Sequence, residues 1–106
     1  MSYKLEVLAS DKPLDNLQTV IRQTEQLGFT LVSLAAGTIS SQPGNIATFS
    51  RSEAAGQVFL EPISGVGNSD AQEQQVNMKN GAARPLVCYG GVIVNGQLAN
   101  VAAYRG

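Results

Sequence analysis

Apolar and polar positions alternate from residue 3 to residue 9: Tyr3, Leu5, Val7 and Ala9 fall on one side, Lys4 and Glu6 on the other with Leu8. A period of two with one polar face predicts a half-buried strand. The period then lengthens. Leu14, Leu17, Val20, Ile21, Thr24 and Leu27 recur at helical spacing, with Asp15, Asn16, Gln18, Gln23 and Gln26 opposite them. This predicts a helix over 13–27. Ser10 and Asp11 before Pro13 supply side-chain acceptors and a first-turn proline for its start. Gly28 stands where a left-handed residue ends it.

Residues 29–36 (FTLVSLAA) are β-rich and apolar on both faces, which predicts a strand covered on both sides or facing a partner subunit. Residues 37–45 (GTISSQPGN) read as a turn-rich loop. Two strands follow, 46–51 and 57–63, joined as a hairpin through Ser52 to Gly56. Ser69 and Gln72 have the spacing of a capping box, which predicts a short helix over 70–79 ending at Asn80-Gly81; a loop is the alternative for this stretch. Residues 85–94 and 97–105 form the last strand pair around Asn95-Gly96, a dipeptide suited to a two-residue turn with positive φ at both positions. Gly90-Gly91 inside the first arm points to a bulge or a close backbone approach.

The order is β-α-β-β-β-α-β-β, with no internal repeat and no linker, so residues 1–106 read as one domain. The fold class is α+β: a mostly antiparallel sheet of five to six strands with the helix 13–27 and the short helix 70–79 packed on one face. One covered face leaves the other in need of a partner copy or of a sheet that curls.

The run Gly28-Phe29-Thr30-Leu31-Val32-Ser33-Leu34, between a Leu-rich helix and a later strand ending Thr48-Phe49-Ser50-Arg51, resembles small bacterial β-α-β-β domains of unknown function. Their centre reads glycine, aromatic, any residue, Leu, Val, Ser, aliphatic. The resemblance covers the first half of the chain and implies a fold, with no catalytic assignment. A ferredoxin-like β-α-β-β-α-β arrangement is a second template and leaves one strand over.

Composition then narrows the chemistry. There is no histidine, so imidazole bases, His-based triads and His-ligated metals are excluded. One cysteine, Cys88, makes neither an internal disulfide nor a Cys-rich zinc site; mid-strand and without a base, it reads as a small buried hydrophobe. A net charge of −1 argues against nucleic acid. No apolar run approaches membrane-spanning length and no leader pattern opens the chain, so a cytoplasmic protein is expected. Charged residues make up 14%, against about 25% in average domains. Interface cores are depleted in charge, so the deficit favours a homo-oligomer.

Gly65, Gly67 and Ser69 lie before the short helix and could present backbone N–H groups to a small anion. Arg84 and Arg51 could add a guanidinium fork, and Tyr89, Gly90 and Gly91 could line the same pocket. No metal and no cofactor is implied. The expectation is a non-enzymatic homo-oligomeric domain that binds a small, anionic molecule or a protein partner. The alternative is an enzyme using carboxylate, arginine and tyrosine chemistry in a subunit-interface pocket, which predicts that Glu61, Asp70, Arg84 or Tyr89 cluster in a cleft.

Overall fold

A computed structural model describes residues 2–80 and 84–106. In chain order the elements are β1 (Tyr3–Leu8), α1 (Leu14–Glu25), β2 (Thr30–Ile39), β3 (Gln42–Ser50), β4 (Val58–Ile63), α2 (Ser69–Lys79), β5 (Leu86–Val94) and β6 (Gln97–Arg105). The class is α+β, but the six strands do not share one sheet. They form two antiparallel sheets of three, ordered β1-β3-β2 and β4-β6-β5.

Turn geometry explains the division. Asn95 and Gly96 have φ of 52° and 77°, and Ser40 and Ser41 have φ of 51° and 66°. Each pair of positive φ values closes a two-residue turn whose twist matches the flanking strands. β2 and β3 are therefore a hairpin through Ser40-Ser41, where a loop over 37–45 was expected, and β5 and β6 are a second one. The expected hairpin between strands 46–51 and 57–63 is absent: β3 pairs with β1 and β2, whereas β4 pairs with β6. The segment between β3 and β4 carries the chain from one sheet to the other.

Local caps also differ from expectation. Pro13 itself is the N-cap of α1, in an extended conformation with no side-chain cap. Ser10 and Asp11 do not cap because their loop is held elsewhere: the carbonyls of Ser10 and Lys12 accept the Gly96 and Asn95 N–H groups at 2.8 and 3.0 Å. Asn68, not Ser69, caps α2, its Oδ1 accepting the Ala71 N–H at 3.0 Å. Gln72 does not reach back to close a capping box; it accepts the Tyr89 hydroxyl. α1 ends at Glu25 with Gln26 as its C-cap, two residues before the expected end, and Gly28, with the expected left-handed φ of 98°, closes the turn that follows. The expected stop of the second helix at Gly81 lies outside the described residues.

The two sheets meet along β2 and β5 and splay apart toward β4, where α1 fills the wedge. Leu17 and Ile21 of α1 are fully buried there, among Leu31, Phe49, Leu60 and Val101 from both sheets. At the seam, a Cβ on Gly90 would stand 3.3 Å from the Leu34 carbonyl oxygen, so the glycine allows a close backbone approach. The irregularity in β5 lies earlier, between Leu86 and Cys88. α2 lies on the opposite face of the second sheet, over Ile63, Ala102 and Tyr104. The helices therefore do not share one sheet face.

Asn45 fastens the seam. Fully buried in β3, it accepts the Ile93 N–H at 2.7 Å and donates to the Ile93 carbonyl at 2.8 Å and the Ala9 carbonyl at 3.3 Å. Asn45→Ala strands both backbone groups of Ile93. It is expected to lower the unfolding free energy by about 1–3 kcal/mol, read from urea denaturation.

The two halves repeat one topology. β1-α1-β2-β3 and β4-α2-β5-β6 have the same strand order, and every paired position in the second half carries a number 55 higher than its counterpart in the first: Tyr3↔Ser50 becomes Val58↔Arg105, and Leu8↔Asn45 becomes Ile63↔Asn100. The bulge between Leu31 and Ser33 recurs between Leu86 and Cys88. The turn Ser40-Ser41 recurs as Asn95-Gly96. Identical residues at this spacing include Leu31 and Leu86, Val32 and Val87, Gln42 and Gln97, Asn45 and Asn100, and Ala47 and Ala102. The absence of a repeat expected from the sequence is thus corrected: the repeat is structural.

Candidate functional site

α2 buries little of itself. Val76 packs on the second sheet, and the Tyr104 hydroxyl donates to the Val76 carbonyl at 2.5 Å. Lys79 Nζ donates to the Pro62 carbonyl, and Gln75 holds Ser64 through both its backbone groups. Between α2 and β5 a groove of about 350 Å³ stays open. Ser69, Gln72 and Val76 form its helix wall, Glu73 and Asn77 its rim, and Leu86 and Tyr89 its sheet wall. The wall is more apolar than polar, and Leu86 and Tyr89 are both exposed.

Of the residues singled out from sequence, this groove brings together Ser69 and Tyr89. Gly65 and Gly67 lie in the loop that leads into α2. Gly91 packs beside Leu98, and Gly90 faces the seam with Leu34. Arg51 stacks over Phe29 in the first half of the chain, 5.4 Å from the ring centroid.

Arg84 is already engaged. It donates to the carbonyls of Asn80 and Lys79, pairs with Glu61 at 3.5 Å, and stacks over Phe59 and Tyr104. Glu61 and Arg84 thus meet each other, but Tyr89 bonds to Gln72 and Asp70 stands exposed in the first turn of α2. Of the four groups named for the enzymatic alternative, Glu61 and Arg84 meet, and Asp70 and Tyr89 lie apart from them. Burial pushes the Cys88 thiol up, a bond to Leu34 opposing it, which disfavours the thiolate that nucleophilic chemistry needs.

A second, smaller cavity of about 170 Å³ lies beside Arg22, Glu25 and Gln57. Its floor is structural. Glu25, only 7% exposed, takes both terminal nitrogens of Arg105, at 3.0 and 2.6 Å, and the Leu31 N–H at 2.7 Å. The pair joins α1 of the first half to β6 of the second.

The largest departure from expectation is on β1. Its apolar side was expected to be the buried one, yet Tyr3, Leu5 and Val7 are 54, 65 and 59% exposed. They share the outer face of the first sheet with Ala35, Ile39 and Ile46, and with Ser33, Thr48 and Ser50, by the register of β1, β2 and β3. Among the described residues that face carries no charged side chain, because Lys4 and Glu6 point to the other side, where they pair at 3.4 Å. β1 is also an edge strand, and among the described residues no group bonds its outer edge. Alternation identified the two faces of β1; which one meets the core depends on where α1 packs.

Among the described residues, no helix is long and apolar enough to cross a membrane, and no three His, Cys, Asp or Glu side chains are grouped to hold a metal ion. No family model, no curated protein and no solved structure matches the chain.

Proposed function

We propose that this protein is a non-catalytic assembly domain whose partner is a second copy of itself, bound through the uncharged outer face of the β1-β3-β2 sheet. The observation that carries this reading is the exposure of Tyr3, Leu5 and Val7 on one face beside an unpaired strand edge. A row of exposed apolar side chains on an uncharged face marks an interaction site, and an unpaired edge is a template for further contact. The low content of charge and the nine Gln and seven Asn fit a chain with surface to hide.

The magnitudes favour reversible association. Covering those three side chains contributes on the order of 3 kcal/mol, less than the 4 kcal/mol or more lost in freedom on association. The rest of the face has to take part, and weak, concentration-dependent association is expected. Sedimentation velocity across micromolar to millimolar chain concentration tests this. A sedimentation coefficient that rises with concentration supports the reading; a strict monomer throughout removes it.

A further inference from the structure

We infer that copies associate head to tail, the open face of the β1-β3-β2 sheet of one copy seating in the α2–β5 groove of the next. This rests on the assembly reading above and specifies which surface receives the open face.

The warrant is the repeat. Within one chain, the first half already receives the second in this way. Leu14, Leu17 and Ile21 of α1, with Leu31 and Leu34 of β2, form the wall on which the second sheet packs. Their counterparts 55 residues on are Ser69, Gln72, Val76, Leu86 and Tyr89, all of which line the open groove. Conversely, the second sheet offers Val58, Leu60 and Val101 to that wall. Their counterparts are Tyr3, Leu5 and Ile46 on the uncovered face. The chain therefore has one satisfied joint between its halves and, at its two ends, the two unoccupied halves of a second joint of the same design.

The polar groups agree. At the internal joint, Gln18 accepts the Leu60 N–H at 2.8 Å and Arg22 donates to the Val58 carbonyl at 2.8 Å, capping the free edge of β4. The counterparts are Glu73, an acceptor, and Asn77, which can donate; both are exposed on the groove rim. The edge they would cap is that of β1, with the Leu5 N–H and the Tyr3 carbonyl. The turn Asn95-Gly96 donates its N–H groups to the carbonyls of Lys12 and Ser10. In the second joint, Ser41 and Ser40 would donate to the carbonyls of Gly65 and Gly67. Asn100, the counterpart of Asn45, makes no side-chain hydrogen bond among the described residues and would face the backbone of Thr38.

The groove is more polar than the wall of the internal joint: serine and glutamine stand where α1 has Leu14 and Leu17, and tyrosine where β2 has Leu34. The second joint is therefore wetter and weaker than the internal one, consistent with a reversible contact between chains. Because the two surfaces differ, the contact is heterologous and propagates to a ring or an open filament.

Two variants at exposed positions test the geometry in the full chain: Leu5→Glu on the open face and Glu73→Lys on the groove rim. Circular dichroism and melting confirm that each folds. Sedimentation is expected to show self-association weakened by about tenfold or more in each variant alone, and pairs restored in the 1:1 mixture, since each mixture contains one intact face and one intact groove. Loss with Leu5→Glu alone, with Glu73→Lys indifferent, means face-to-face pairing; it overturns the head-to-tail contact and leaves the assembly reading standing. Indifference to both variants also overturns it, and a wild-type chain that never associates removes both readings.

Discussion

Ile21→Ala is expected to lower the unfolding free energy by about 2–5 kcal/mol, whereas Val76→Ala, at the equivalent place in the second half, costs less than about 1.5 kcal/mol in the monomer. Ile21 is completely buried between two sheets, so its truncation leaves a cavity with walls on every side. Val76 packs on one sheet only and borders the open groove, so water and neighbouring side chains can relax into the space. Urea denaturation at low chain concentration measures both, and an unchanged slope with denaturant would show that the unfolded states are comparable. Equal losses at the two positions would mean that α2 is as enclosed as α1.

Arg105→Ala is expected to cost about 3–5 kcal/mol, because it leaves the Glu25 carboxylate buried without its counter-ion. The arginine reaches 80 positions back along the chain to make this contact, with two nitrogens on two carboxylate oxygens. The Leu31 N–H and the Arg105 fork are both directed at a group 5% exposed at its side chain, so water in the small cavity beside it restores only part of what is lost. The double variant Glu25→Met with Arg105→Leu is expected to recover most of that loss, since removing both charges removes the desolvation cost as well. Denaturant unfolding of the two single variants and the double variant forms the cycle; a double variant as unstable as Arg105→Ala alone would show that the pair itself, rather than an orphaned charge, sets the cost.

The elements of the fold were largely legible in the sequence. Helical spacing from Leu14 to Leu27 places α1 within two residues at either end, and Asn95-Gly96 places the last turn. Glycine and asparagine tolerate positive φ, so that signal has a local cause. Ser40-Ser41 makes the same turn from residues that carry no such preference, and the loop expected at 37–45 was the result. The groove was partly legible: Ser69 and Tyr89 line it, but Gln72, Glu73, Val76, Asn77 and Leu86 carry no motif. Nothing local marks a residue as lining a groove when the wall opposite comes from another element.

The repeat was hidden for a related reason. Positions 55 apart share a structural role without sharing a residue: Phe49 and Tyr104 are both fully buried, one bare and one with a hydroxyl satisfied by Val76. Conversely, Leu14 and Leu17 become Ser69 and Gln72 because the second wall has nothing packed on it within the chain.

The sequence by itself determined the number of strands, the first helix, the chain-ending hairpin and the two faces of β1, and offered the second helix beside a loop, because these follow from period, turn chemistry and propensity within a few residues. Only the tertiary structure decided that six strands divide into two sheets, that the halves are equivalent, and that the Tyr3, Leu5 and Val7 face points outward. Those outcomes depend on contacts between distant positions, such as Asn45 with Ile93, 48 apart, and Glu25 with Arg105, 80 apart, whose hydrogen bonding and burial have no local signature.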